Sequence, residues 1–375
     1  MKTKICLVIM TLLLILSGCG KKEEEKKQET ISDYEQYLFD TSYVHEIDVS
    51  ISEEDWNDLL SHPADKSKYT ADITIDGETY QDVSFSTKGN SSLMFVANDE
   101  NSDRYSFKVN FGKNIDGQTY HGLSKLSLNN LFSDTAYMKD FLSYEIFRKA
   151  DVNAPLYSYV WLRINGKDHG LYGAVEDIGK SFLKRNYKGK GVLYKPESEG
   201  VSLSLEDIEA ILNGAPVSTG EAAGADLVYR DDEIDSYSAI FDNAETKAEE
   251  EDYRRVIEAL QALSKNRDLE QYLDTDEIIR YFAANVFLLN YDGYIGPMLH
   301  NYYLYENEGK LAMLPWDYNL AFATASILIP ETDYADPGRL INQGIDTPLY
   351  LTGEEERPMW SWIVKSEEYF NRYHE

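Results

Sequence analysis

Apolar and polar residues alternate along residues 44–51, 71–75 and 78–85, the period of strands with one face in a core. Asp76-Gly77 separates the last two and has the chemistry of a two-residue hairpin turn. Ser52 precedes Glu53-Glu54-Asp55-Trp56 and is the expected N-cap of a short helix. Residues 104–111 and 123–128 continue the strand pattern, with Arg104, Ser106, Lys108 and Asn110 on one face of the first. The period then changes. Asp134 stands before residues 135–149, whose apolar positions Ala136, Phe141, Leu142, Ile146 and Phe147 predict a helix with Glu145 on its later half. Residues 157–164 and 170–175 predict a hairpin across Asn165-Gly166-Lys167-Asp168, followed by Glu176-Asp177-Ile178 and a helix over 180–187. Beyond residue 250 the pattern is helical at 253–263, 276–289 and 360–373.

One stretch carries more than core patterning. An apolar run ends at a carboxylate, Asp292, and a Gly-Pro-containing loop follows. Strand-like pieces at 302–305 and 310–314 then flank Glu306-Asn307-Glu308-Gly309. A turn centred on Asn307 and Glu308 sets Asn301 roughly opposite Leu314, so Asn301 enters the hairpin beside the end where Asp317 leaves it. Asp292, Asn301 and Asp317 are thereby expected to converge. Asn319, two residues past Asp317, faces the same side if that segment is extended. Each of these residues also suits a plain role as a helix cap or turn former. Together, an Asp that orients a hydroxyl and an Asn with a second Asp that hold magnesium are what protein kinases use.

Composition changes the picture first at the N-terminus. Lys2 and Lys4 precede an apolar run over 5–16, too short to span a bilayer comfortably, and Leu16-Ser17-Gly18-Cys19 reads as a bacterial lipobox. The expected parts are a lipoprotein signal peptide over 1–19, lipidated at Cys19, and a disordered charged tether over 20–32. Cys6 leaves with the peptide, so no disulfide and no thiolate metal site is expected in the mature chain. The remainder divides into a β-rich part at 33–199, an acidic connection at 200–250 (partly helical at 203–212) and a helical part at 251–375. With 66 acidic and 36 basic residues the net charge is −30. That opposes nucleic-acid binding and repels anionic lipid from the folded part, leaving the lipid anchor as the membrane link on the extracytoplasmic face. A nucleotide site here needs local basic residues or a metal. Asp231-Asp232-Glu233 lacks calcium-loop spacing, and no P-loop, zincin or hydrolase-elbow motif occurs.

His300-Asn301-Tyr302-Tyr303-Leu304-Tyr305 and Leu314-Pro315-Trp316-Asp317-Tyr318-Asn319 resemble segments of the CotH family, the spore-coat protein H group of atypical kinases. Gly170-Leu171-Tyr172-Gly173-Ala174-Val175-Glu176 is similar to that family's Gly-Leu-Tyr and Glu segment. The resemblance implies an α+β, atypical protein-kinase-like fold of two lobes, β-rich then mainly helical. It implies an exported, metal-dependent kinase that moves the γ-phosphoryl of ATP to a Ser, Thr or Tyr hydroxyl of a protein, with Mg2+ or Mn2+. Asp292 would orient the acceptor, and Asp317 with Asn301 or Asn319 would bind the metal. Lys108 would hold phosphates and pair with Glu145, with Lys195 as the reserve lysine, and Glu176 would sit at a hinge near adenine. The step from Asp292 to Asn301 is longer than in the ordinary catalytic loop. Family members continue with further helices after residue 373, which implies an incomplete helical lobe here.

Two other classes compete. A kinase-like surface protein without catalysis is one, since exported proteins meet little ATP and the 29 Tyr and 5 Trp offer contact surface. A glycoside hydrolase using Asp292 and Asp317 as its carboxylate pair is the other, but it leaves the lysine strand and glutamate helix unexplained. Binding of ATP with magnesium discriminates among them.

Overall fold

Seven strands close on themselves through a pairing between residues far apart in the chain. In the computed structural model, which describes residues 33–197, 222–325, 338 and 341–375, they are β1 (His45–Ile51), β2 (Tyr69–Ile75), β3 (Glu78–Lys88), β4 (Ser106–Asn110), β5 (Lys125–Asn129), β6 (Tyr157–Ile164) and β7 (Lys167–Glu176). Their order around the barrel is β1-β2-β3-β4-β5-β7-β6. Closure is the parallel pairing of β1 with β6, which sets Ile47 beside Leu162 and Val49 beside Ile164. The other barrel pairings are antiparallel. Inward positions such as Ile47, Val49, Ile73, Val83, Phe85, Phe107, Leu126 and Leu162 form one buried cluster. Closing the sheet pairs both edges and seals that cluster.

The turns follow sequence chemistry. Asp76 and Gly77 (φ 47° and 89°) join β2 to β3, and Asn165 and Gly166 (φ 52° and 72°) join β6 to β7. Both residues of each pair are left-handed, as in turns that match strand twist. Helix α1 (Glu53–Ser61) is capped by the Ser52 hydroxyl, which accepts the Asp55 N–H at 3.0 Å. Helices α2 (Ser91–Ala97), α3 (Lys139–Lys149) and α4 (Lys180–Tyr187) lie between or after barrel strands.

A second core surrounds a three-stranded antiparallel sheet, ordered β10-β9-β8, from β8 (Val192–Tyr194), β9 (Tyr302–Asn307) and β10 (Lys310–Pro315). Helices α5 (Glu250–Lys265), α6 (Thr275–Phe287), α7 (Pro358–Val364) and α8 (Glu367–His374) contribute to it. Residues 225–241, part of the expected acidic connection, bury Leu227, Tyr237, Ile240 and Phe241 in this core. Among the described residues no helix is long and apolar enough to cross a membrane.

The expected two-lobed kinase-like architecture is therefore corrected. The β-rich half is a closed seven-stranded mixed barrel, and the other half is built on a sheet as well as on helices. Residues Asp33–Glu375 form one unit. Alternation along β1 reveals which face is buried but not which strand it meets. The β1–β6 pairing that closes the barrel spans a long loop of chain and leaves no local signal.

Candidate functional site

A cavity of about 700 Å³ opens between the outer face of β3–β4–β5 and the ends of the β9–β10 hairpin. Alternation builds its floor. With apolar residues of these strands pointing into the barrel, Ser84, Ser86 and Lys88 of β3, Ser106, Lys108 and Asn110 of β4, and Lys125, Ser127 and Asn129 of β5 all line the cavity. Strand register places Ser86, Lys108 and Ser127 side by side across the three strands. Among the described residues seven lysines and no arginine line the cavity, in a chain of net charge −30. Six carboxylates, on Asp140, Asp177, Glu197, Glu245, Asp292 and Asp317, share that lining, so the cleft holds nearly balanced charge within a strongly acidic protein. Ser91 and Ser92, which open α2, also reach the lining.

Lys108 lies on this floor, and its Nζ is 2.8 Å from Asp177 Oδ2. Burial works against its charge, but the Asp177 carboxylate outweighs it and raises the ammonium above its ordinary pKa. The second oxygen, Asp177 Oδ1, is buried with no hydrogen-bond partner among the described residues. The expected partner, Glu145, is elsewhere: it pairs with Arg148 one turn along α3 and does not line the cavity. The buried face of α3 is instead Asp140, Ser143, Tyr144 and Phe147, one helical stripe that excludes Glu145. Glu176 is also corrected. It is fully enclosed, pairs with Arg185 at 2.5 Å, and accepts the Tyr34 hydroxyl at 2.6 Å and the Leu156 N–H at 3.1 Å. That carboxylate ties the barrel to α4 and has no face on the cavity. Arg104 precedes β4 and donates to the carbonyls of His169 and Leu171 rather than joining the Lys108 face.

Asp317 follows β10 with a left-handed backbone (φ 56°) and is held from α3. Its N–H donates to the Tyr144 hydroxyl at 3.1 Å, and the next N–H, of Tyr318, donates to Asp140 Oδ1 at 2.8 Å. No hydrogen bond or ion pair engages the Asp317 carboxylate among the described residues, and it faces the cavity. Lys88 reaches the same region, donating to Asn129 Oδ1 at 2.6 Å, with its Nζ 5.7 Å from the centre of the Trp316 ring. Burial lowers the Lys88 pKa, while the nearby Asp317 charge opposes that shift. Burial and the Asp317 charge both raise Asp140.

Asp292 sits on a tight loop after α6. A Cβ on Gly296 would lie 1.8 Å from the Tyr291 carbonyl oxygen, so only glycine allows this fold-back. Arg357 pins the loop, donating to the carbonyls of Tyr294 and Gly296, each at 2.6 Å. Asn301 Nδ2 donates to Asp292 Oδ2 at 2.8 Å, and His300 Nε2 is 3.5 Å from Oδ1. Burial, aided by the Asp317 charge and opposed by His300 and Asn301, pushes the Asp292 carboxyl up to about 6.

The structure thus brings Asp292, Asn301, Asp317, Asn319, Lys108 and Lys195 to one cavity. The hairpin register differs by two in residue sum from expectation: Tyr302 pairs with Pro315, and the Trp316 N–H donates to the Asn301 carbonyl at 3.3 Å. Glu308 and Gly309 take the left-handed turn positions, with Asn307 left in the ladder opposite Lys310. Among the described residues no group of three or more His, Cys, Asp and Glu side chains is arranged to hold a metal. Magnesium in phosphoryl-transfer sites needs only one or two carboxylates, the remaining ligands being phosphate and water. Asn301 and Asn319 spend their amide N–H groups on Asp292 and on the Phe132 carbonyl, at 3.2 Å for the latter. Their Oδ1 atoms accept no hydrogen bond among the described residues, and with the Asp317 carboxylate on the same cavity they are a donor set that fits such an ion. Lys195 pairs with Glu197. Cys19, Arg339 and the expected helix over 203–212 lie outside the described residues.

Asp140 and Asp177 are the residues that sequence reasoning missed. For Asp177 the signal was present: Tyr172 and Ala174 belong to the barrel interior, so alternation sends Glu176 inward and Asp177 to the cavity.

A family model described as CotH kinase protein matches residues 85–375, from β3 to the last residue. The inner spore coat protein H of Bacillus subtilis (strain 168) is 24% identical over 205 residues, covering 54% of this chain and 51% of that protein. The chain spans about half the length of this curated relative. The family match covers the cavity floor from Ser86 onward, the Asp292 loop and the hairpin, and the chain belongs to the CotH kinase protein family.

Proposed function

We propose that the protein is an atypical protein kinase, transferring the γ-phosphoryl group of ATP to a protein hydroxyl with a divalent metal. The observation that carries this reading is the convergence on one lysine-lined cavity of a buried Asp292, an Asp317 carboxylate without a partner among the described residues, and a paired Lys108. Asp292 orients the acceptor hydroxyl and takes its proton as the hydroxyl oxygen bonds to the γ-phosphorus and the bond from that phosphorus to the bridging oxygen breaks, releasing ADP. A carboxyl raised toward neutrality is more basic than an ordinary one and still mostly ionised at pH 7. Lys108 and Lys88 offset phosphate charge. Asp177 takes the role expected of Glu145, fixing the Lys108 ammonium so that it need not reorganise during transfer. Asp317, Asn301 and Asn319 would hold magnesium or manganese, which when bound draws phosphate oxygens together and neutralises charge developing on them.

The lipobox at Cys19 supports anchoring of this kinase to the outer face of a bacterial membrane, with the acceptor a protein at that surface. The deciding experiment incubates the protein with labelled ATP, magnesium or manganese, and candidate acceptor proteins. Transfer abolished by Asp292→Ala supports the reading. Binding of nucleotide without any transfer favours a non-catalytic surface protein instead.

A further inference from the structure

Behind the two carboxylates lies a small polar chamber that the proposed chemistry does not use. The Tyr318 hydroxyl enters it from the segment carrying Asp317 and donates to Asn285 Oδ1 of α6 at 2.7 Å. Tyr281, also on α6, and Asn290, two residues before Asp292, approach the same hydroxyl. Asn285, Asn290, Tyr281 and Tyr318 are all fully buried. Among the described residues the Asn290 amide and the Tyr281 hydroxyl make no direct hydrogen bond, and neither does Asn285 Nδ2. Gly293 closes the chamber from the Asp292 loop, where a Cβ would lie 3.3 Å from Asn290 Nδ2 and 3.9 Å from Asn285 Oδ1. Apolar residues would fill this volume at lower cost, since each buried polar group without a partner costs about 1–3 kcal/mol. Polar groups in this setting are commonly bridged through internal water.

We propose that the Tyr318 hydroxyl, with Asn285 and Asn290, positions the Asp292 and Asp317 segments against each other. The chamber touches the neighbours of both carboxylates and neither carboxylate itself. Asp140 and Tyr144 of α3 fix the Asp317–Tyr318 backbone from one side, and Phe147 packs edge-on against the Tyr318 ring with centroids 5.0 Å apart. The hydroxyl supplies the second side, through α6 and the Asn290 turn. The three side chains are therefore positioning residues: they set where the proton acceptor and the metal carboxylate stand relative to each other. The catalytic part of this inference rests on the kinase reading, whereas the coupling of the two segments does not.

The test uses Tyr318→Phe, which removes one oxygen and keeps the packed ring. Amide hydrogen exchange on the ligand-free protein is followed at residues 290–296 and 316–320. Faster exchange in both segments is expected, roughly tenfold for one buried hydrogen bond lost, with the barrel strands unchanged. Phosphoryl transfer is measured in parallel, and kcat should fall further than KM for ATP rises, by up to about 100-fold for a misplaced group. A merely structural hydroxyl would lower stability and leave that split unmoved. Exchange that rises only at 316–320, or nowhere, overturns the coupling. Should Tyr318→Phe not fold, Asn290→Ala is read the same way from the opposite segment, and failure of both to fold assigns the chamber to stability alone. A parent protein with no transfer defeats the kinase reading, while the exchange result still decides the coupling.

Discussion

Lys108 on β4 is paired with Asp177, the residue that follows β7, at 2.8 Å, and not with the helix residue Glu145. The pair spans neighbouring parts of one barrel wall, so the lysine is fixed by the sheet itself. Lys108→Ala should weaken ATP binding by roughly 10–100-fold, the scale of a hydrogen bond to a charged group, and should also lower stability by leaving the Asp177 carboxylate buried without its cation. Calorimetric titration with ATP and magnesium measures it. Lys195→Ala should cost less, because its partner Glu197 is exposed and holds it less firmly than the buried Asp177 holds Lys108. The reverse order of losses would move the phosphate role to Lys195.

Asp292 and Asp317 should fail differently. Asp317→Ala removes a carboxylate that lines the cavity and has no partner among the described residues, so metal-dependent nucleotide binding and turnover should both fall. Asp292→Ala removes a side chain held by Asn301, so nucleotide binding should survive while transfer drops roughly 10²–10⁴-fold. Equal nucleotide affinity in the two variants would end this division of labour.

The pH profile should report Asp292. Its carboxyl titrates near about 6, so kcat should fall as pH drops below that value and the acceptor of the proton is lost. Stability moves the other way. The folded pKa is raised above the unfolded one, so this group's contribution is fully present below the unfolded pKa and is lost as pH rises through about 6. A pH–rate series on the parent, paired with denaturant unfolding of parent and Asp292→Asn, separates the two.

Glu176 belongs to the scaffold. Glu176→Ala leaves the Arg185 guanidinium buried without its partner, so unfolding by urea should show a loss of about 3–5 kcal/mol. Nucleotide affinity in the folded fraction should be unchanged, because Glu176 has no face on the cavity. A selective loss of nucleotide binding at full stability would return Glu176 to the site.

Cys19→Ser should leave the protein without lipid and shift it from the membrane to the soluble fraction if cleavage proceeds by another route. Mass spectrometry of the native N-terminal peptide checks it. A free Cys19 thiol in the native host would remove the anchor.

The sequence by itself determined what depends on neighbours along the chain. Alternation located the strands and the polar face of Lys108, and turn chemistry placed Asp76-Gly77 and Asn165-Gly166. The hairpin of β9 and β10 brought Asn301 and Asp317 together because two strands and a short turn are a local geometry. Its register shifted because Asn307 stayed in the ladder, leaving Glu308-Gly309 as the turn. Only the tertiary structure decided what depends on distant pairings. Barrel closure rests on β1 beside β6, and the cavity exists because the outer face of β3–β5 meets a second core. Helix α3 buried Asp140 and Tyr144 while Leu142 stayed exposed, since the helix's neighbours included the Asp317 backbone as well as apolar packing. Hydrophobic pattern predicts which face seeks burial, but a polar residue is drawn into the core wherever the fold delivers backbone groups that need a partner.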